Sequence, residues 1–295
     1  MEIASKHRFS YIHPGSWPFW AIHLIAIAGL FYFGWSWTGF ALALASYAVR
    51  MFFVTGGYHR YFSHRSYKTS RWFQAVLAFF CSTTAQKGVL WWAAHHRDHH
   101  KYSDTENDVH SPARHGFWYS HVGWILNPKT NGTDYDRVKD LAKFPELVWL
   151  NRWHLIPPVI YAVAFYLVGG WFALFWGFFF STVLLWHGTF TINSLTHLWG
   201  KRRFESGDDS KNHWLLAIIT LGEGWHNNHH YYQSSTRQGF YWWEYDITYY
   251  VIRMLGFVGL VWEIREPPAR ILEEGRQNKL TRAPSVTTLS PKQTA

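Results

Sequence analysis

A chain of 295 residues with 20 Trp and 20% aromatic content lies far from ordinary soluble composition, while a mean hydropathy of −0.18 excludes a bundle immersed in lipid throughout. The single cysteine, Cys81, excludes both a disulfide framework and an iron–sulfur cluster, so any reducing equivalents must come from outside the chain. A formal net charge of +9 would suit nucleic acid, but the aromatic residues stand in apolar runs rather than on a polar stacking surface, which points to a charged membrane face and no nucleic-acid partner.

Residues 1–8 are polar and basic, and no small-residue cleavage site follows the apolar run behind them; this reads as an uncleaved membrane anchor. From Phe9 to Val49 there is no Lys, Arg, Asp or Glu. At about 1.5 Å per helical residue that run allows two crossings of a ~30 Å hydrocarbon layer. Spans are expected at about 17–33 and 37–54, turning near Gly34, with Trp17, Trp20, Trp35 and Trp37 at the interfaces. A basic stretch follows, with Arg50, Arg60, Arg65, Lys68 and Arg71. Residues 72–92 are apolar but interrupted by Ser82 to Gly88, too short to cross, so this segment should return to the side it left.

A second charge-free run from Trp153 to Gly200 predicts spans at about 155–168 and 171–190, with Gly169-Gly170 at the tip. Neither tip carries a charge, while Lys and Arg crowd the segments 55–152 and 197–265. The positive-inside rule therefore puts both termini and those segments in the cytoplasm. Beyond Leu221 an aromatic stretch reaching Trp262 reads as amphipathic and interfacial. From residue 266 the Pro and Gly content and the loss of apolar residues predict a disordered tail, 266–295, behind a single membrane domain, 1–265.

The histidines carry the chemistry. In WWAAHHRDHH, His96, His99 and His100 stand at i, i+3 and i+4, which on a helix lines three imidazoles along one face within reach of a single metal centre. HNNHH repeats the spacing with His226, His229 and His230. HRYFSH supplies His59 and His64, which diverge by roughly 140° on an ideal helix and so either serve different ions or flank a distorted turn. With His197 these exceed the needs of one ion and suit two. Imidazole alone does not choose among zinc, copper, iron and nickel. Asp98, Asp104, Asp108 and Glu223 are candidate carboxylates to orient the rings. A non-catalytic metal-binding or transporting membrane protein is the rival reading, but only His23 and His187 place an ionisable group inside the expected spans.

The boxes HRYFSH, HRDHH and HNNHH, with NSLTHLWG between the last two and SHVGW and GEGWHNNHH around them, resemble the integral-membrane fatty acyl desaturases of the delta-9, stearoyl-CoA desaturase-like branch. The resemblance implies an all-α membrane protein with four transmembrane helices in two hairpins and a cytoplasmic helical cap. That cap would hold a di-iron site on His59, His64, His96, His99, His100, His197, His226, His229 and His230, with Asn193 reaching iron through water. It implies dioxygen and two external electrons from a donor such as ferredoxin or cytochrome b5 with its reductase, and a cis double bond formed in an acyl chain on CoA or a membrane lipid. A fatty acid or alkane hydroxylase shares the boxes. Where acyl-CoA-using animal members carry an Arg-Asp pair before HRxHH, this chain has Ala94-His95, which puts CoA recognition by that route in question. Arg65, Lys68, Arg71, Lys101, Arg202 and Arg203 are expected to form the donor's docking patch.

Overall fold

The computed structural model describes residues 11–278 and the backbone of Thr281–Arg282. The basic leader at residues 1–8 and the end of the expected tail lie outside the described residues. Helix α1, Trp17–Phe33, has Pro18 in its first turn and stops at Gly34, whose φ of 66° suits a residue without a side chain. Ser36 then accepts a hydrogen bond from the Gly39 N–H and starts α2, Trp37–Phe52. The helical path does not end near residue 54 as expected. It continues through Phe53–Ser63 as a wide π turn, with the His64 N–H donating to the His59 carbonyl five residues back at 3.1 Å.

Next come α3, Arg71–Ser82, capped by Ser70, and α4, Val89–Tyr102. Gly57 lets the π turn press on α3, since a Cβ there would sit 2.3 Å from Cys81 Sγ. After α5, Pro145–Arg152, a long apolar path comprises α6, Ile156–Leu174, a π turn Phe175–Phe180 and α7, Ser181–Leu198. The short α8, His226–Tyr231, then α9, Ile247–Phe257, and α10, Ala269–Gln277, complete the helices that matter here. Two antiparallel strand pairs, Lys68–Thr69 with Val261–Trp262 and Lys201–Arg202 with Thr281–Arg282, tie late segments to early ones.

Among the described residues three helical stretches are long and apolar enough to cross a membrane: Pro14–Phe33, Trp37–Ser63 and Ile156–Leu198. In the third, the backbone leaves helical geometry at Gly169 (φ −147°, ψ 25°) and Gly170 (φ 60°, ψ −154°). Phe165, before the break, lies so close to Gly177, after it, that a Cβ on Gly177 would be 2.2 Å from the ring; the chain doubles back at the two glycines. Phe31, Leu167 and Val168 face outward, an apolar surface fit for lipid rather than water. Away from these stretches a separate core gathers Tyr58, Phe62, Leu77, Leu90, Val138, Leu141 and Leu147.

One cation sits inside the apolar part. Arg50 of α2 is fully buried, donates to Thr182 Oγ1 (2.8 Å) and Ser181 Oγ (2.5 Å) on α7, and lies over the Tyr161 ring of α6 at 5.2 Å. Hydroxyls and a ring face, rather than a carboxylate, satisfy its charge.

The expected tail starts too early. Its polar composition hides α10, which buries Ile271 with Phe204 and Tyr241 and accepts a hydrogen bond from the Tyr231 hydroxyl at Glu274 (2.6 Å). One apolar anchor and one side-chain bond order a helix that average polarity does not reveal. Packing between α2 and the turn before α7 depends on glycine too: a Cβ on Gly39 would lie 2.4 Å from the buried ring of Trp176. Gly39→Val is expected to lower stability by about 1–3 kcal/mol, read as a drop in the thermal midpoint in detergent. Gly132→Ala, which meets open space, should stay within about 0.5 kcal/mol of the parent.

Candidate metal centre

The nine predicted histidines converge from four elements into two groups. His59 and His64 come from the π turn and its end, His96 and His100 from α4, and His229 from α8; their ligand atoms all lie within 4.8 Å of one another. The second group joins His99 of α4, His197 of α7, and His226 and His230 of α8. The π turn resolves the open question about HRYFSH: a bond spanning five residues carries His64 back over His59, so both face one group despite their spacing.

Each repeated triplet serves both groups, contrary to the expectation that three imidazoles on one face share a centre. His96 and His100 point to the first group and His99 to the second, whereas His226 and His230 point to the second and His229 to the first. The cause is helical geometry: the i+4 residue lies about 40° to one side of i and the i+3 residue about 60° to the other, so the two diverge by roughly 100°. The two helices thus exchange their middle histidines.

In the first group the Nε2 atoms form a closed ring: His59 to His64 at 3.1 Å, His64 to His96 at 2.8 Å, His96 to His100 at 2.9 Å, His100 to His229 at 3.0 Å, and His229 to His59 at 3.0 Å. Each such edge, as a hydrogen bond, needs one N–H and one lone pair. Around a ring of five no alternation of the two can satisfy every edge. A cation at the centre removes the conflict, because two nitrogens about 2.1 Å from one ion at right angles stand about 3.0 Å apart. In the second group His197 and His226 Nε2 are 3.1 Å apart, and the buried Nε2 of His230 has no protein partner. These donor sets fit metal ions.

Carboxylates fix the outward nitrogens. His230 Nδ1 lies 2.6 Å from Asp208, His197 Nδ1 2.8 Å from Asp104, His99 Nδ1 3.1 Å from Asp108, and His59 Nδ1 2.6 Å from Glu223. An Nδ1–H directed outward leaves the Nε2 lone pair facing inward. Asp104, Asp108 and Glu223 therefore act as the sequence suggested. Asp98 does not: it lies 2.6 Å from Arg137 Nε, away from the imidazoles. Asp208 was missed, because a residue in the Gly207-Asp208-Asp209-Ser210 turn, 22 positions before His230, carries no periodic signal. Arg60, fully buried, clamps Glu223 (3.2 Å) and Asp246 (2.8 Å), linking the first box to the third.

Burial above all, reinforced by neighbouring imidazoles, pushes His64, His96, His100, His226 and His229 well below the ordinary imidazole value. His230 is lowered by burial to about 4, with Asp208 partly opposing. His99 is lowered by burial but raised more by Asp108 and its neighbours, and ends above its usual value. Burial favours the neutral acid at Asp104, Asp108 and Asp208, yet the facing histidines outweigh it and hold all three carboxyls below their usual range.

An apolar cavity of about 690 Å³ reaches this centre, touching His96, His110 and Asn193 at its inner end and lined by Trp91, Trp92, Trp186 and Phe190. Asn193 stands on its wall and in neither imidazole group. His95 also faces the cavity, stacked near Trp91, while Ala94 is buried. His110 forms a further group with His99 and Asp108. The expected basic patch is largely neutralised: Arg65 pairs with Asp140, Lys68 with Glu263, Arg71 with Glu146 and Arg202 with Asp209, and Arg203 is buried against Glu244. Lys101 stays exposed, beside a cleft formed with Ser63, His64, Arg97 and His100 over the first group. Carboxylates scattered far along the chain, invisible to a scan for Lys and Arg, account for the difference.

The lowered histidines predict a pH response. Unfolded, they take up protons near about 6.5; folded, they resist to much lower pH, so the unfolded state binds more protons in between. Stability of metal-free protein should fall as pH drops from about 7 toward about 4; His99 opposes this but is outnumbered. The depressed carboxyls add their loss only at still lower pH. Thermal midpoints in chelator from pH 8 to 5 measure this, and a flat profile would contradict it.

The family model described as fatty acid desaturase matches residues 35–260. The chain is 38% identical over 258 residues to an sn-2 palmitoyl-lipid 9-desaturase of Nostoc sp. (strain 36), covering 85% of this chain and 89% of that protein. It is 35% identical over 249 residues to an sn-1 stearoyl-lipid 9-desaturase of Anabaena variabilis, covering 84% and 91%. It is 36% identical over 250 residues to an icosanoyl-CoA 5-desaturase of Limnanthes douglasii, covering 83% and 70%.

Proposed function

Since the chain belongs to the fatty acid desaturase family, we propose that it introduces a cis double bond, of the delta-9 type, into a saturated acyl chain carried on CoA or a membrane lipid. The observation that carries this reading is the pair of imidazole groups at the inner end of an apolar cavity. In it, His59, His64, His96, His100 and His229 hold one iron, and His99, His197, His226 and His230 the other, with Asn193 contributing through water. Bound there, two irons supply the oxidising power, drawn from dioxygen and two external electrons, that removes two hydrogens from an unactivated chain. Trp92 and Phe190 exclude water from the chain, and Glu223, Asp108, Asp104 and Asp208 keep the Nε2 lone pairs of His59, His99, His197 and His230 directed inward.

In the same reading the protein crosses the membrane four times in two hairpins, the Gly169-Gly170 break dividing Ile156–Leu198 into two spans, with both termini and the histidines on the cytoplasmic side. Electrons come from a separate carrier such as ferredoxin or cytochrome b5. The cleft beside Lys101, rather than the paired arginines, is where such a carrier approaches the first imidazole group most closely.

Purified protein should hold two irons per chain, and His96→Ala should abolish product while the protein still inserts in the membrane. Asp208→Asn should lower iron affinity roughly 10–100-fold, read by iron analysis against a chelator series. NADPH alone should give no product, with turnover appearing when ferredoxin and its reductase are added. A hydroxylated chain in place of a cis monoene would replace this reading with a hydroxylase, and one loosely held zinc without oxygen uptake would end it.

A further inference from the structure

The cavity is not closed on its membrane side. Leu155, Val159 and Val163 line it and are 56%, 59% and 49% exposed. Little of the described chain covers these residues, so the cavity stands open along this side of α6. They belong to the start of α6 and the residue before it, within a helix apolar enough to cross a membrane. The opposite lip is Pro14, Pro18, Phe19 and Ile22, from the start of α1, another such helix. In the membrane arrangement proposed above, the mouth faces hydrocarbon, not water.

Polar groups gather at one level of this mouth, where both helices begin: His13 before α1, His154 before α6, and Lys87 with Asn131 beside them. His154 Nδ1 is buried and has no partner among the described residues, and Lys87 Nζ donates to Asn131 Oδ1 at 2.8 Å. Ala85 and Lys87 flank Gln86 with φ of 57° and 69°, left-handed conformations that side-chain-bearing residues avoid, and all three line the cavity. A strained loop is thereby held where it presents one cation to the mouth. Among the described residues Lys87 is the only Lys or Arg in the lining, and no Asp or Glu joins it. A nucleotide carrier with several phosphates calls for a cluster of such groups; a lipid head group with one phosphate or a neutral sugar does not.

We infer that this desaturase takes its acyl chain sideways from the bilayer, through a portal between α1 and α6, from a glycerolipid whose head group rests at the level of Lys87, Asn131 and His154. The inference rests on the desaturase reading and selects the acyl carrier within it. The second acyl chain stays in the membrane, against the exposed faces of the two helices, while the first extends toward His96 and Asn193.

Iron-loaded protein in nanodiscs of distearoyl phosphatidylglycerol, driven by ferredoxin and its reductase, should form an unsaturated lipid, and the same protein offered stearoyl-CoA should not. Product from stearoyl-CoA alone would overturn the portal and leave the desaturase reading standing; product from neither would remove both. Native mass spectrometry of metal-free protein provides a readout independent of turnover. The parent should retain a glycerolipid, Ala162→Trp, which fills the lining at the α6 side, should lose it at least tenfold, and Leu24→Trp, which adds the same ring to the exposed face of α1, should keep it. Undiminished lipid in the Ala162→Trp protein would overturn the portal.

Discussion

Five nitrogen lone pairs, each about 3 Å from the next in a closed ring, set the constraint on which the rest of the structure depends. Protons cannot resolve an odd ring, so the arrangement is tolerable only around a positive ion, and the fold must hold it against repulsion when none is there. Buried carboxylates tied to the outer nitrogens, and Arg60 tied to one of them, Glu223, and to Asp246, provide that restraint. Tight packing around the rings does the remainder, with Tyr58, Trp92 and Leu90 behind the first group.

The exchange of His99 and His229 between the two groups makes α4 and α8 mutually dependent. Neither helix supplies a complete set of ligands, and α8 is only six residues long, well short of what an isolated helix needs to form. It is held instead by Asn227 and Asn228, which bond to Arg203, Phe204, Asn212 and Glu244 around it. The asparagines between the histidines of the third box are therefore the reason that box has a shape at all.

Much of this was legible in the sequence. Charge-free runs located the long apolar helices, since a stretch without Lys, Arg, Asp or Glu has few alternatives, and the i, i+3, i+4 spacing identified six of the nine histidines. What escaped has physical causes. Helical periodicity assumes 3.6 residues per turn, so the π turn at Phe53–Ser63 left His59 and His64 unreconciled. Asp208 and α10 are held by long-range contacts that leave no pattern in the sequence. Pairing of Arg65, Lys68 and Arg71 with distant acids likewise cannot be read from local charge.

Arg50 has a consequence for biogenesis. Its guanidinium is satisfied by Ser181 and Thr182, 131 and 132 residues later in the chain. While the ribosome is still making that interval, α2 must wait with an uncompensated charge near hydrocarbon, a costly condition that favours lingering at the translocon or the headgroup layer over settling in lipid. Arrival of α7 removes the cost, so the early and late halves of the protein commit to the bilayer together.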